Sequence, residues 1–268
     1  MQQGDIGHTI SVAANYVDAG GTSERILSSA TQSVVQGAGT FTGGSGNDTL
    51  TGSNFDDILN GLAGNDILRA LGGNDVIRGG AGNDTVDGGA GIDTASYSDA
   101  TKAVKVSLAA TGAQVTGGSG TDTLIAVENL IGSAYADTLT GNSGANVLNG
   151  GAGADTLTGG AGADTFVFDT LTSSANRDSV KDFVSGTDKL QLSIGAFAGL
   201  SSYGLGQLDA SELAFGTRAT TSSQHLIYDA KSGTLMYDPD GSGSAASVAI
   251  AVLGNGSALH AQDIILVG

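Results

Sequence analysis

The residues best suited to chemistry in this sequence are aspartates that recur every nine residues. Starting at Gly43, the chain divides into nonapeptides such as GGSGNDTLT and GLAGNDILR, with an acidic residue in the sixth place. The eighth place of the same repeats holds an apolar residue throughout. Carboxylates are the ligands that hard cations such as calcium prefer. The sixth-place residues are Asp48, Asp57, Asp66, Asp75, Asp84 and Asp93.

A second block of the same repeat follows at residues 132–167. Its nonapeptides are GSAYADTLT, GNSGANVLN, GGAGADTLT and GGAGADTFV, and their sixth places hold Asp137, Asn146, Asp155 and Asp164. Just before the first block, VVQGAGTFT keeps the apolar place at Phe41 but has Gly39 in place of the aspartate. We interpret that segment as a capping turn. A disordered Gly- and Asp-rich linker has no reason to keep an apolar residue at every eighth place.

The repeat pattern G-G-x-G-x-D-x-U-x, with U a large apolar residue, resembles the RTX (repeats-in-toxin) family over roughly residues 37–268. This resemblance implies an all-β fold: a right-handed parallel β-roll that binds calcium, here in two blocks, followed by a C-terminal antiparallel β meander. Each glycine-rich turn precedes a strand of about three residues. Two nonapeptides form one coil, so residues eighteen apart stack about 4.8 Å from each other.

The resemblance also implies the calcium ligands. Main-chain carbonyls at places two and four of one turn, and at places one and three of the turn eighteen residues on, join the two aspartates. The implied carbonyl ligands belong to Gly43, Gly44, Ser45, Gly46, Gly61, Ala63, Gly64, Gly73, Gly79, Gly80, Ala81, Gly82, Gly150 and Ala152. The implied pairs are Asp48 with Asp66, Asp57 with Asp75, Asp66 with Asp84, Asp75 with Asp93, Asp137 with Asp155, and Asn146 with Asp164. Asn146 offers only a neutral oxygen, so its site should be weaker.

Composition supports a cation site and excludes several other functions. The net charge is -17, and all but three of the 27 acidic residues are aspartate, which suits tight turns and hard cations better than glutamate does. No basic patch is available for nucleic acid or for an anionic membrane. The sequence has no cysteine, no apolar run long enough to span a membrane and no cleavable signal peptide at its start.

The segments around the two blocks, 37–96 and 132–167, are assigned from their local patterns. In the connecting insertion 97–131, VKVSL alternates like an edge strand, and GGSGTDTLI is a further repeat in which Asp122 could complete a site. In the capping and secretion-signal region 168–268, Asp178, Asp182 and Asp188 either hold a last ion or cap the roll; we favour capping but keep Asp188 as a candidate ligand. The runs HLIYD, GTLMYD and SVAIAVL predict the meander, and DPDG predicts a type I turn.

The two ends of the sequence suggest its context. Residues 1–36 contain two alternating runs around a turn, like the last hairpin of an immunoglobulin-like sandwich. The apolar tail HAQDIILVG resembles the uncleaved C-terminal signal of RTX proteins that leave the cell by type I secretion. We therefore expect the C-terminal piece of a larger protein that is secreted or held at the cell surface, with calcium ions and the type I machinery as partners.

Catalytic motifs are not found in this sequence. His8, His225 and His260 lie far apart, and neither H-E-x-x-H nor G-x-S-x-G occurs. We predict a non-enzymatic calcium-binding module of an adhesin. The alternative is the tail of a secreted metalloprotease or lipase, and upstream sequence would distinguish the two. An ice-binding solenoid and self-cleavage at the Asp-Pro bond are less favoured.

Overall fold

A computed structural model of the chain describes residues 13–17, 23–27, 37–170 and 176–268. These residues form β-strands joined by turns and by four short 3₁₀ helices, and no α-helix occurs among them. The all-β class predicted from the repeats is confirmed. The 3₁₀ helices are Ala198–Tyr203, Ala210–Glu212, Gly254–Gly256 and Ala261–Asp263.

The strands are short, and most of them are three residues long. Before the insertion they are β1 (Ala13–Val17), β2 (Ser23–Leu27), β3 (Thr40–Thr42), β4 (Thr49–Thr51), β5 (Ile58–Asn60), β6 (Ile67–Arg69), β7 (Val76–Arg78), β8 (Thr85–Asp87) and β9 (Thr94–Ser96). From the insertion to the second block they are β10 (Lys105–Ser107), β11 (Gln114–Val115), β12 (Thr121–Ile125), β13 (Asn129–Ile131), β14 (Thr138–Thr140), β15 (Val147–Asn149), β16 (Thr156–Thr158) and β17 (Thr165–Phe168). The C-terminal strands are β18 (Asp178–Val180), β19 (Lys189–Ser193), β20 (Gly206–Gln207), β21 (Leu213–Phe215), β22 (Leu226–Asp229), β23 (Thr234–Tyr237), β24 (Val248–Leu253) and β25 (Ile264–Val267).

Successive strands alternate between two faces of a flattened roll. One face is a single sheet with the order β3-β5-β7-β9-β13-β15-β17-β19-β25-β20. The other face begins as β4-β6-β8-β12-β11 and continues as a separate sheet, β10-β14-β16-β18-β24-β23-β22-β21. The repeat strands pair in parallel with a register of eighteen residues, so that Leu59 lies opposite Ile77 and Leu50 opposite Leu68. The predicted parallel β-roll is confirmed.

The apolar eighth place of each repeat forms the core. In a three-residue strand only the central side chain faces inward, and the two flanking side chains face outward. Leu59, Leu68, Leu130 and Leu148 are fully buried at these central positions. One continuous cluster of buried apolar residues runs from Phe41 near the first coil to Leu266 in the last strand. Neighbouring coils therefore share one core, which no single repeat could build.

The insertion 97–131 belongs to the roll. Strand β12 pairs with β8, and β13 lies between β9 and β15, so the ten-stranded sheet runs without a break from the first block into the second. VKVSL forms β10 at the edge of its sheet, as its alternation predicts. The domain boundaries at 96 and 132 stay a prediction, and we keep them only as names for the two repeat blocks.

The predicted C-terminal meander is confirmed, and it is joined to the roll. Strands β22, β23 and β24 pair antiparallel in sequence order. Strand β24 also pairs in parallel with β18, so the meander extends the repeat sheet. The apolar tail forms β25, which pairs in parallel with β19 and buries Ile264 and Leu266. The local patterns predicted the strands, and the structure adds their pairing with distant coils.

At the other end, β1 and β2 pair antiparallel as a separate two-stranded sheet. The predicted hairpin is therefore confirmed. The immunoglobulin-like origin of residues 1–36 stays a prediction, since most of this segment lies outside the described residues.

Two fourth-place glycines offer a matched test of the turn geometry. Gly64 has a φ of 124°, and a Cβ added there would lie 2.5 Å from the carbonyl oxygen of Gly46 in the preceding coil. A Cβ added to Gly46 itself would meet nothing within 4 Å. We expect Gly64→Ala to destabilise the calcium-bound protein by roughly 1–3 kcal/mol, because only glycine tolerates that φ without strain.

The measurement is thermal unfolding in calcium. Gly64→Ala should lower Tm by about 2–10 °C, and Gly46→Ala should leave it nearly unchanged. Equal effects of the two substitutions would contradict the stacking of these two turns.

Candidate metal centre

The sixth-place aspartates end the glycine-rich turns and lie buried at the edge of the core. Each aspartate is followed, after one residue, by the apolar residue that the core buries. The strand therefore fixes the backbone position of the aspartate. Apart from the half-buried Asp48, their relative exposure is 2 % or less even though a carboxylate is normally hydrated. The residues buried to this degree are Asp57, Asp66, Asp75, Asp84, Asp93, Asp122, Asp137, Asn146, Asp155 and Asp164.

Each of these carboxylates except that of Asp48 accepts a hydrogen bond from the main chain of the preceding coil. The N–H of Asp48 donates to Oδ1 of Asp66 over 2.8 Å, and the N–H of Asp66 donates to Oδ1 of Asp84 over 2.8 Å. On the other edge of the roll, the N–H of Asp57 donates to Oδ1 of Asp75, and the N–H of Asp75 donates to Oδ1 of Asp93. We call these connected columns of sixth-place residues the aspartate ladders. They place carboxylates eighteen residues apart directly over one another.

The second carboxylate oxygen distinguishes interior members of the ladders from end members. In Asp48 and Asp57 it accepts an N–H from the same turn, over 2.6 Å in both cases. The interior members have a buried Oδ2 with no hydrogen-bond partner. Unpaired buried oxygens of this kind are rare in proteins and indicate a missing ligand. They belong to Asp66, Asp75, Asp84, Asp93 and Asp155.

Glycine in the first place of the repeat keeps a space open beside these oxygens. A Cβ added to Gly61 would contact Asp66 Oδ2 and lie 2.5 Å from the carbonyl oxygen of Gly79. A Cβ added to Gly88 would lie 2.6 Å from Asp93 Oδ2 and would contact the carbonyl oxygen of Ala126. A carboxylate oxygen and a main-chain carbonyl from the next coil therefore face the same small space, which only a glycine leaves free.

The other carbonyls implied as ligands lie in the same stacked turns. The N–H of Ala63 donates to the carbonyl of Gly44 over 3.3 Å, and the N–H of Gly64 donates to the carbonyl of Ala81 over 2.9 Å. A carbonyl oxygen has two lone pairs, so these bonds leave room for a cation. The turns are thus lined by carbonyls and carboxylates, and both are hard oxygen donors.

Burial raises the pKa of several ladder carboxyl groups. Desolvation is the largest cause, and the charge of the neighbouring ladder member adds to it. It raises the pKa of Asp75 and of Asp84 to about 6, that of Asp155 to about 7 and that of Asp178 to about 8. In the absence of a cation, the folded ladders therefore hold protons that the unfolded chain would have released.

The insertion continues both ladders of the first block. Oδ1 of Asp122 accepts the N–H of Asp84 over 3.0 Å, so the repeat GGSGTDTLI stacks in register. Its Oδ2 accepts the hydroxyl of Thr116 over 2.9 Å. Glu128 was missed by sequence reasoning, yet its Oε2 accepts the N–H of Asp93 over 2.9 Å. Its turn is shorter than the repeat turns, and the longer glutamate side chain reaches the place that an aspartate would occupy.

The second block and the segment after it build the third column. The N–H of Asp137 donates to Asp155 Oδ1 over 2.7 Å, and the N–H of Asp155 donates to Asp178 Oδ1 over 3.0 Å. Beside it, Asp188 accepts the N–H of Asp164 over 3.0 Å. Asp182 instead accepts N–H groups of the turn at residues 159 and 160, so it caps that turn. Asp178 and Asp188 therefore occupy ladder positions, although their sequence departs from the repeat.

Asn146 takes its ladder position with different chemistry. Its N–H donates to Asp164 Oδ1 over 2.9 Å, as an aspartate would. Its side-chain amide donates to the carbonyl of Glu128 over 2.7 Å. Its amide oxygen accepts the N–H of Asn142 over 2.8 Å and lies beside the first-place Gly141, so Asn146 presents a neutral oxygen there. The weaker site stays a prediction.

The donor set fits calcium. Calcium accepts six to eight oxygens and tolerates carboxylates and carbonyls together in irregular geometry. No group of three or more His, Cys, Asp or Glu side chains converges within the described parts of the chain, so carbonyls must supply most ligands. Orphaned carboxylate oxygens, spaces kept open by glycine and facing carbonyls provide such an arrangement.

A serine, a histidine and an aspartate converge away from the ladders. The hydroxyl of Ser185 lies 2.8 Å from His260 Nδ1 and donates to Asp263 Oδ2 over 2.5 Å. In a hydrolase triad the aspartate and the serine contact opposite nitrogens of the imidazole. Here Nδ1 faces both the serine and the aspartate, so this cluster fixes the C-terminal segment against the turn before β19.

Two other predictions concern local features. In DPDG, the N–H of Asp240 donates to Asp238 Oδ1 over 3.4 Å and the N–H of Ala245 donates to Asp240 Oδ2 over 3.0 Å, in a turn in which Gly241 has a φ of 63°. These bonds stabilise a turn.

No helix in the described residues is long and apolar enough to cross a membrane.

A family model of a known repeat agrees with the geometry of the turns. The family model of the RTX calcium-binding nonapeptide repeat matches residues 42–73, 60–95 and 131–166. No curated protein sequence matches this chain. Among solved structures, the extracellular lipase LipA from Serratia marcescens aligns with 16% identity and a TM-score of 0.28. That alignment covers 85% of this chain and 40% of the lipase chain, so the chain spans less than half of the lipase.

The matched residues are those that carry the ladders, the open spaces at the first-place glycines and the orphaned oxygens. The chain therefore contains RTX calcium-binding nonapeptide repeats, and these repeats bind calcium ions.

Proposed function

We propose that this chain is a non-enzymatic module that folds when calcium fills its turns, outside the cell, and that it supports type I secretion of a larger surface adhesin. The observation that carries the folding proposal is the row of five interior aspartates whose buried Oδ2 atoms have no partner. A fold that buries unpaired carboxylates is unfavourable until a cation supplies the missing charge.

The ligand assignment is part of the proposal. Each calcium ion would bind between stacked turns, held by the sixth-place aspartates of both and by the carbonyls implied for places one to four. We add Glu128 as the partner of Asp93 and Asp178 as the partner of Asp155, because both side chains take ladder positions. Asp122 and Asp188 close the same columns.

The export role depends on the difference in calcium between the two sides of the membrane. The free calcium concentration inside a cell is far below the dissociation constants of extracellular oxygen-ligand sites, which are on the order of 10⁻⁴–10⁻³ M. The chain would stay unfolded and able to thread a channel there. Outside, each turn would close on its ion and oppose backsliding. The apolar tail that forms β25 would serve as the secretion signal before it folds.

The adhesin assignment is supported by the hairpin of β1 and β2, which fits the last hairpin of a sandwich domain. The alternative parent is a secreted hydrolase whose catalytic residues lie in another part of the protein. Tandem sandwich domains upstream would support the adhesin, and a catalytic motif upstream would support the hydrolase.

Calcium removal tests the folding proposal. We expect the full chain to show a β-sheet circular dichroism signal and compact size in millimolar calcium, and a disordered signal in excess chelator at pH 8. The reason is that the ladders carry unbalanced charge without the ion. A chelated chain that keeps its β signal and compact size would rule out coupled folding.

The same experiment at pH 5 is the internal control. The folded pKa values of Asp155 and Asp178, about 7 and about 8, exceed the unfolded value near 4. The cation-free fold is therefore favoured at low pH and loses that stability as pH rises through these values. We expect part of the β signal to return in chelator when pH falls from 8 to 5, and little pH dependence over that range in saturating calcium.

A pair of ladder substitutions tests the ligand assignment. Asp66 is an interior member with an orphaned Oδ2, whereas Oδ2 of Asp48 already accepts the N–H of Gly44. We expect Asp66→Asn to raise the calcium midpoint for folding by roughly tenfold, because two neighbouring sites lose a charged ligand. Asp48→Asn should raise it by less than about threefold. The midpoint is read from circular dichroism in a calcium titration, and equal shifts would contradict the pairing.

Truncation of the tail tests the export proposal. Removing residues 260–268 should abolish secretion through a type I exporter, and removing residues 13–27 should not. Because Ile264 and Leu266 are buried in the sheet, a milder variant is also needed. Ile265→Thr with Val267→Thr alters the half-buried side chains of β25 and keeps its core contacts.

Secreted and cell-retained protein are measured for each variant, with a calcium titration of the purified chain. Undiminished secretion of the truncated chain would refute the export role and leave calcium-driven folding standing.

A further inference from the structure

The C-terminal region contains a fully buried carboxylate that belongs to none of the ladders. Glu212 ends the 3₁₀ helix Ala210–Glu212 and has no solvent-exposed surface. Neither of its carboxylate oxygens has a hydrogen-bond partner. It lines a surface depression together with Gly204, Gln207, Asp209 and Leu266. Burial of a carboxylate without a partner requires that its charge be neutralised in some way.

A neighbouring buried carboxylate, that of Asp263, has hydrogen-bond partners for both of its oxygens. Asp263 is as fully buried as Glu212, and it lies in the 3₁₀ helix that contacts the helix of Glu212. Its oxygens accept the hydroxyl of Ser185, the N–H of Gly186 and the N–H of His260. Lys189 lies 3.9 Å away. Burial alone does not leave a carboxylate unpaired here, so the lack of partners at Glu212 distinguishes its site.

A second carboxylate faces the same depression. Asp209 is exposed and caps the 3₁₀ helix, and its Oδ1 accepts both the N–H and the hydroxyl of Ser211, over 2.8 and 2.7 Å. These bonds hold the pKa of Asp209 below its usual value, so Asp209 stays ionised. Desolvation, and then the charge of Asp209, raise the pKa of Glu212 to about 7. A second negative charge beside Glu212 makes a positively charged ligand more favourable.

We propose that Glu212 and Asp209 bind a divalent cation, calcium, at a site outside the repeats. The oxygens on offer are the two unpaired carboxylate oxygens of Glu212 and the carboxylate of Asp209, and Gln207 and Ser211 also line the depression. Neither histidine nor cysteine lines it, so the donor set suits calcium rather than a softer metal.

This site would lie beside the last strand of the roll. Leu208 donates its N–H to the carbonyl of Ile264 over 3.0 Å, and Leu266 lines the depression. An ion bound between Asp209 and Glu212 would fix this segment beside β25. The inference does not depend on calcium in the repeats, since it uses no ladder residue.

The test counts calcium ions bound to the full chain at pH 7.5, by native mass spectrometry and by equilibrium dialysis. The variants are Glu212→Gln, Asp209→Asn and Asp169→Asn. Asp169 is an exposed carboxylate outside the ladders, so its variant controls for the loss of one negative charge. We expect Glu212→Gln and Asp209→Asn each to bind one ion fewer than the wild type, and Asp169→Asn to bind the wild-type number.

Wild-type ion counts in both Glu212→Gln and Asp209→Asn would overturn the proposal and would mean that Glu212 is neutralised by a proton. If Glu212→Gln loses its β signal in calcium, Asp209→Asn decides, because its exposed side chain is not needed for packing. If the wild type binds a single ion and Asp209→Asn binds none, the site at Glu212 would be supported and calcium binding by the repeats would be contradicted.

Discussion

The structure depends on stacking buried carboxylates over one another. Two unit charges about 5 Å apart repel by about 3 kcal/mol at an effective dielectric constant of about 20, and each ladder contains several such steps. A main-chain N–H of the preceding coil stabilises one oxygen of the carboxylate, as the N–H of Asp48 does for Oδ1 of Asp66. It leaves the second oxygen of interior members without any partner. A cation between coils is the group that can satisfy that oxygen and cancel the repulsion together.

The same requirement explains the composition of the turns. An alanine at Gly61 would place its Cβ against the carboxylate of Asp66 and the carbonyl of Gly79, in the space where we propose that the cation binds. The glycines that leave this space also make the turns flexible in the unfolded chain. Each repeat buries a single apolar side chain such as Leu59, which is too little to order nine residues alone. On the proposed function, core, turn and ion therefore assemble together, across several coils.

How far the sequence predicted this structure follows from how strictly each segment keeps the repeat. In the two blocks, the repeat spacing located the ladder aspartates and the core residues, and the resemblance to RTX repeats implied the strands and their stacking. Glu128 could not be found this way, because its shortened turn has no repeat spacing and only the pairing of β13 with β9 places it over Asp93. Glu212 carries no pattern at all. The one available signal was composition, since it is one of three glutamates in a chain that otherwise uses aspartate.

The ends of the ladders explain where the need for cations stops. At the first coils, Asp48 and Asp57 satisfy their second oxygen with an N–H from their own turn, so they need no ion on that side. At the insertion, Asp122 accepts the hydroxyl of Thr116 and interacts with Tyr97, whose pKa is raised by burial and by this carboxylate. Neutral donors thus close the columns, and unpaired charge is confined to the interior. The proposed calcium sites therefore lie between interior coils, which ties calcium binding to the number of stacked repeats.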